Sequence, residues 1–319
     1  MKTNTVPKVS VLVPMRNAAP FVVQALASIL REVTISLEVV VINDKSTDRS
    51  LELVLNIKDE RIQVVDGPGK GIAAALNIGL ALARGDIVMR CDADDLYPVG
   101  RIDHQVTWLD NNQDYAAVCG GFTALDESGL LVTQLETGEI GSDITEELNL
   151  GCTRTHFCTY AVRKSAIDRV GGFRPYFETG EDIDYQLRLA NFGRVMYLPR
   201  IAYEYRLHEA SITHTQTNSK RIFFEDIARK FQVQRKMYGQ DDLQRDQPPT
   251  IPDSSADSAS SAAKQIGGML MGSAWRTHQS GNKLDAIALG IRALTHMPFD
   301  ISSWRSVVAL IVKSGKRSR

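Results

Sequence analysis

Val9-Ser10-Val11-Leu12-Val13 is a short, almost wholly apolar run, the pattern of a strand buried on both faces of a parallel sheet. Residues 18–31 then repeat apolar side chains at helical spacing: Phe21, Val22, Ala25, Leu26, Ile29 and Leu30. A second buried strand is expected over 37–42. Ser46-Thr47-Asp48 reads as the cap of a helix carrying Leu51, Leu53, Val54 and Leu55. A third strand is expected over 61–65, and an alanine- and leucine-rich helix over 72–83. That helix leads into the apolar run Asp86-Ile87-Val88-Met89-Arg90-Cys91. Strands separated by helices predict an α/β fold, a doubly wound and mostly parallel sheet with flanking helices.

The 319 residues suffice for about two domains. Thirty-seven basic side chains balance 38 acidic ones, so no nucleic-acid partner is implied. Cys91, Cys119, Cys152 and Cys158 form no C-x-x-C pair and read as reduced thiols of a reducing compartment. Cys152, His156 and Cys158 lie close in sequence, but a zinc site requires a further ligand pair, so ordinary packing is expected. Residues 1–8 lack the apolar core of a signal peptide. No run reaches the ~18 apolar residues of a membrane span. A soluble, cytoplasmic catalytic half is therefore expected.

Asp92-Ala93-Asp94-Asp95 follows the fourth apolar run directly. Ligands of open α/β sheets bind outside the carboxyl ends of the strands. Clustered carboxylates there suit Mg²⁺ or Mn²⁺, which hold on through one or two carboxylates plus substrate phosphates. The plainer alternative is an acidic turn that starts the next helix. A dinucleotide fold would need G-x-G-x-x-G after the first strand, where Pro14-Met15-Arg16-Asn17 stands instead. Gly67-Pro68-Gly69-Lys70-Gly71 fits neither that fingerprint nor the P-loop. Nucleotidyl transfer would likewise need a glycine-rich loop after the first strand.

Several blocks occur in a telling order: Pro14 with Asn17; Ile42-Asn43-Asp44-Lys45-Ser46-Thr47-Asp48; Gly71 through Asn77-Ile78-Gly79 to Arg84-Gly85-Asp86; and the acidic cluster with Pro98, Arg101 and Gln105. Gly171-Gly172-Phe173, Glu181-Asp182-Ile183-Asp184 with Arg188-Leu189, and Tyr205-Arg206-Leu207-His208 with Ser211 complete it. Over about residues 7 to 215 the chain resembles the family 2 glycosyltransferases. The resemblance implies a GT-A fold and inverting transfer of sugar from a nucleotide donor with a divalent cation, Mn²⁺ or Mg²⁺.

Carried onto this sequence, the resemblance makes Asp94 the direct metal ligand, with Asp92 facing the donor ribose or metal-bound water. Asp95 either joins them or caps the helix expected from Tyr97. Asp44 resembles the aspartate that accepts a hydrogen bond from uracil, which points to a UDP-sugar; its alternative is an N-cap. Pro14 supplies backbone contacts to the base, and Asn17 stands in the same donor loop. Asp182 is selected as the base that takes the acceptor proton, with Glu181 positioning the acceptor. The plainer reading of both is acids favoured in a first helical turn. His208 stands near diphosphate and metal, where neutral imidazole can join carboxylate. Arg206 is suited to phosphate.

The domain organisation expected is a catalytic domain over 1–215, a helix over 216–240, a flexible Ser-, Asp-, Gln- and Pro-rich linker over 241–262, and a helical extension over 263–319. That extension, broken at Gly281-Asn282 and Pro298, resembles one tetratricopeptide hairpin with a basic tail. Residues 307–312 followed by Lys313, Lys316, Arg317 and Arg319 fit either peripheral contact with an anionic membrane or a plain terminal helix with a solvated tail. The Q-x-x-R-W pattern of processive synthases is missing, so addition of one sugar at a time to a glycan, lipid-linked or polymer acceptor is expected. The competing reading is a catalytically inactive nucleotide-sugar-binding or partner-recruiting module, for which Asp182 would have no chemical use.

Overall fold

The computed structural model describes residues 6–134, 138–208, 218–252 and 261–313. The chain divides into two units: Met1–Phe122 with Glu136–Tyr205 and Arg221–Asp253, and Thr123–Leu135 with Arg206–Lys220 and Ser254–Arg319.

The first unit opens with the expected alternation: β1 Val9–Met15, α1 Val22–Leu30, β2 Leu37–Asn43, α2 Ser50–Leu55, β3 Ile62–Asp66, α3 Ile72–Leu82 and β4 Ile87–Arg90. These strands are parallel in the order β3-β2-β1-β4, with Val9 opposite both Leu37 and Ile87. Successive side chains point to opposite faces. Val9, Val11, Val13 and Met15 meet Val22, Leu26 and Ile29 of α1 on one face. Leu12, Val40 and Ile42 meet Leu76 and Leu80 of α3 on the other. Each such buried aliphatic chain contributes ~1.5–3 kcal/mol. Both faces are apolar, which is why β1 and β2 read as continuous runs.

The remaining strands depart from simple double winding. After α4 (Arg101–Asn111) come β5 (Tyr115–Leu125), β6 (Leu131–Gln134), β7 (Ser142–Asp143), α5 (Thr145–Asn149), β8 (Ala161–Arg163), α6 (Lys164–Val170), α7 (Glu181–Leu189) and β9 (Arg194–Arg206). β8 lies antiparallel between β4 and β5, and the sheet continues through β9 to β7. β1 has β2 on one side and β4 on the other, so the strand order reverses there. The crevice beyond the carboxyl ends of such strands is where open α/β sheets bind ligands.

Two motif blocks are explained by packing across this unit. The Asn77 side chain donates to the Phe173 carbonyl at 2.8 Å and accepts the Phe173 N–H at 2.7 Å. A Cβ at Gly172 would lie 2.5 Å from the Asn77 side-chain oxygen, so the neighbouring glycine is required. Arg84 likewise anchors to buried Glu38, its Nε 2.8 Å from the carboxylate.

The flexible linker expected from residue 241 is corrected by a buried ion cluster. Asp184 and Asp241 are both fully buried. Arg174 Nη1 reaches Asp241 at 2.7 Å, Arg235 Nη1 reaches it at 2.5 Å, and Arg188 Nε reaches Asp184 at 2.9 Å. Arg174 also forks Asp184. Burial opposes the Asp241 charge, but Arg174, the Gln244 N–H and Arg235 hold its carboxyl below the usual range. The Asp-, Gln- and Pro-rich composition of 241–252 therefore conceals an anchor between α7 and α8 (Asn218–Tyr238). Asp241→Ala, which strands two guanidinium groups, is expected to cost about 3–5 kcal/mol in urea denaturation. A loss below about 1 kcal/mol would show that the cluster is not a structural tie.

In the second unit, Thr123 to Leu125 pair with β6. Three helices follow, α9 Ala262–Gln279, α10 Lys283–His296 and α11 Ile301–Val312, one more than a single hairpin. Arg292 of α10 donates to Asp126 and the Leu131 carbonyl at 2.5 Å each. Asp300 caps α11 through the Ser303 N–H at 3.0 Å. Among the described residues, no helix is long and apolar enough to cross a membrane. Ser211, residues 253–260 of the expected linker, and the tail residues Lys316, Arg317 and Arg319 lie outside the described residues.

Candidate active site

The end of β1 is braced against the end of β2. Asn17 adopts a left-handed backbone, φ 53°, which asparagine tolerates better than most residues. Its N–H donates to Ser46 Oγ at 3.1 Å, and its side-chain oxygen accepts the Thr47 N–H at 2.8 Å. The Ala19 N–H donates to Asp48 at 3.0 Å. Ser46-Thr47-Asp48 therefore ties two loops together as well as opening α2, where Asp48 accepts the Ser50 N–H at 3.0 Å.

Asp44 is buried at the tip of β2, 4% exposed. Its N–H donates to the Met15 carbonyl at 2.8 Å, and its carboxylate accepts the Gly69 N–H at 2.5 Å. A Cβ at Gly67 would stand 2.7 Å from that carboxylate, so only glycine permits the loop to wrap around it. The glycine-rich stretch 67–71 thus encloses Asp44, a role its sequence did not disclose. Helix α2 starts after Arg49, so Asp44 is not its N-cap.

At the end of β4, Arg90 is buried and forks Asp92, with Nε 2.7 Å and Nη2 3.0 Å from its two oxygens. Its third nitrogen, Nη1, reaches Glu181 Oε1 at 3.1 Å. Burial works against this guanidinium's charge, but Asp92 and Glu181 hold it ionised. The Asp92 N–H donates to the Tyr203 hydroxyl at 3.0 Å, which in turn donates to Asp95 at 2.8 Å. Asp95 is a buried tie to β9. The expectation that it caps a helix near Tyr97 is corrected, since α4 begins at Arg101 after Gly100. Asp94 and Asp92 are both partly exposed.

Helix α7 opens after Gly180 with Glu181, Asp182 and Asp184 in its first turn, where the helix dipole favours acids. Burial pushes Glu181 up to about 7; Arg90 pulls it down and the neighbouring Asp182 charge raises it further. Asp182 is partly exposed. The structure thus joins Asp92 to Glu181 through Arg90, a residue sequence reasoning passed over because a lone arginine ends an otherwise apolar strand.

Arg206 and His208 are buried and belong to the second unit. Cys158 lies with its Sγ 3.6 Å from Asp92, whereas Cys152 is exposed. Among the described residues no group of three His, Cys, Asp or Glu side chains is arranged to hold a metal. A divalent ion held by one carboxylate and donor phosphates needs no such group. One strand-end carboxylate together with donor phosphates is a donor set of that kind.

An open α/β sheet with carboxylates at its strand ends is a ligand-binding architecture. Residues 10–171, half of the chain, match the family model Glycosyl transferase family 2, and the chain belongs to that family. It is a glycosyltransferase of GT-A fold. An uncharacterized glycosyltransferase of Haemophilus influenzae is 28% identical over 239 residues, covering 69% of this chain and 73% of its own. Chondroitin synthase of Pasteurella multocida is 26% identical over 223 residues, 68% of this chain but 23% of its own, so the chain spans under a quarter of that synthase. The fold is similar to that of S. aureus TarS 1-349 in complex with UDP-GlcNAc, with TM-score 0.61, 16% identity, and coverage of 94% of this chain and 90% of that one.

Proposed function

We propose that the protein transfers one sugar at a time from a UDP-sugar to a hydroxyl of a glycan, lipid-linked or polymer acceptor, with inversion and with Mn²⁺ or Mg²⁺. The observation that carries this reading is the Arg90 guanidinium held between Asp92 and Glu181 at the carboxyl end of β4. It brings the carboxylates that this reading gives to donor and acceptor within one side chain's span. The presence of UDP-GlcNAc in TarS is consistent with a UDP-linked donor.

In this reading the Asp44 carboxylate, fixed by Gly69, receives the base with Pro14 and Asn17 beside it. Asp94 holds the ion, while Asp92, kept in place by Arg90, faces the ribose or metal-bound water. The cation supplies neutralisation of charge on the departing diphosphate. Arg206 is suited to a phosphate, and His208 to a phosphate or an ion. Asp182 takes the acceptor proton. A base must reach its substrate before its pKa matters, and Asp182 is the accessible member of the pair. Glu181, buried against Arg90, positions the acceptor. Inversion follows from a single displacement with no enzyme-bound sugar.

UDP release from UDP-GlcNAc, UDP-glucose and UDP-galactose, each with Mn²⁺ and a glycan panel, tests the proposal. At least one donor is expected to turn over, faster with an acceptor present. No release from any donor, with UDP bound normally, would contradict it.

A further inference from the structure

His156 was singled out by its two neighbouring cysteines, yet it belongs to no metal cluster among the described residues. Its backbone is fixed by the short 3-10 turn Phe157–Thr159: its carbonyl accepts the Thr159 N–H at 3.0 Å and the Thr159 hydroxyl at 2.9 Å. Thr155 and Phe157 on either side are buried, whereas His156 is exposed. Its ring does not hang free. Phe122 meets it edge-on at 4.5 Å between centroids, and Tyr205 lies near-parallel at 5.8 Å and 26°. All three residues belong to the first unit.

The surroundings of this aromatic group are electrostatic. Two residues on, in the same short turn, the Cys158 Sγ lies 3.6 Å from Asp92, which brings His156 beside the strand-end carboxylates. Desolvation by the surrounding protein lowers the imidazole pKa, while the Asp182 charge works the other way. A neutral imidazole offers one donor and one acceptor there.

We propose that Phe122, His156 and Tyr205 form the wall against which the transferred pyranose of the donor lies. The inference rests on the sugar-transfer reading above. In an inverting displacement the base stands across the anomeric carbon from the leaving diphosphate. The transferred ring therefore spans from the Asp92–Asp94 side to Asp182, and His156 stands beside the Asp92 end of that span. A pyranose presents C–H faces to aromatic rings and hydroxyls at its rim to an imidazole nitrogen. A pocket of apolar surface with a few placed polar groups recognises such a ligand.

Calorimetric titration of UDP and of UDP-GlcNAc, UDP-glucose and UDP-galactose, all with Mn²⁺, tests this on wild type, His156→Ala and Phe122→Ala. The expected result is a loss of about tenfold in affinity for the bound UDP-sugars, the scale of one hydrogen bond and its packing, with UDP itself changed less than about twofold. Equal losses for UDP and UDP-sugars, or no loss for either, would overturn the proposal. So would a loss confined to transfer at saturating donor, which would move the wall to the acceptor. If wild type binds no UDP, the transferase reading itself fails, which is a separate outcome.

Discussion

Asp182→Asn is expected to lower sugar transfer by about 10²–10⁴-fold while leaving Mn²⁺-dependent UDP affinity within about twofold. A sugar hydroxyl is a poor nucleophile until its proton has somewhere to go. Asparagine keeps the size and some hydrogen bonding of aspartate but cannot accept that proton. Asp182 sits in the first turn of α7, set by Gly180, and is partly exposed. The substitution therefore leaves the Arg90 bonds to Asp92 and Glu181 in place, and donor binding has no reason to change. Because turnover falls and binding does not, the lost interaction belongs to the transition state. Steady-state UDP release and calorimetry on one preparation measure both halves. Loss of UDP–Mn²⁺ binding together with turnover would place Asp182 on the donor side.

Asp94→Asn is expected to do the reverse of sparing the donor. Removing an anionic ligand forfeits leaving-group stabilisation of several kcal/mol, or roughly two to three orders of magnitude in rate. It should also weaken UDP binding only when Mn²⁺ is present. The Arg90 fork sharpens this expectation. Asp92 has both oxygens engaged at 2.7 and 3.0 Å by a guanidinium, whose positive charge disfavours a cation taking the place of one on Asp94. Activity within a few-fold of wild type at limiting Mn²⁺ would mean that the ion is held elsewhere.

The parallel half of the sheet was legible because β1 and β2 are buried on both faces and their helices carry clean apolar spacing. β8 was not legible. Three residues long and antiparallel, it is defined by its partners β4 and β5, and no local pattern announces it. The positions of Asp44, Asp92, Asp94 and Asp182 were also readable, since they follow strand ends or open a helix where carboxylates are conspicuous. What stayed hidden were the residues acting on those carboxylates. Gly67 matters only because Asp44 approaches it, and Arg90 only because Glu181, far along the chain, comes to its third nitrogen. Asp95 and Asp241 misled for the same reason. One looked like a cap and the other like the start of a linker, because Tyr203 and Arg174 are distant from them in sequence.

Titration of UDP into the wild-type protein, with and without Mn²⁺, tests the central claim most directly, because it needs neither the sugar nor the acceptor. The expected result is saturable binding of one UDP that tightens at least about tenfold when Mn²⁺ is added. Binding of equal strength in the presence of Mn²⁺ and of a chelator would contradict the metal site, and no binding under either condition would contradict the nucleotide-sugar reading as a whole.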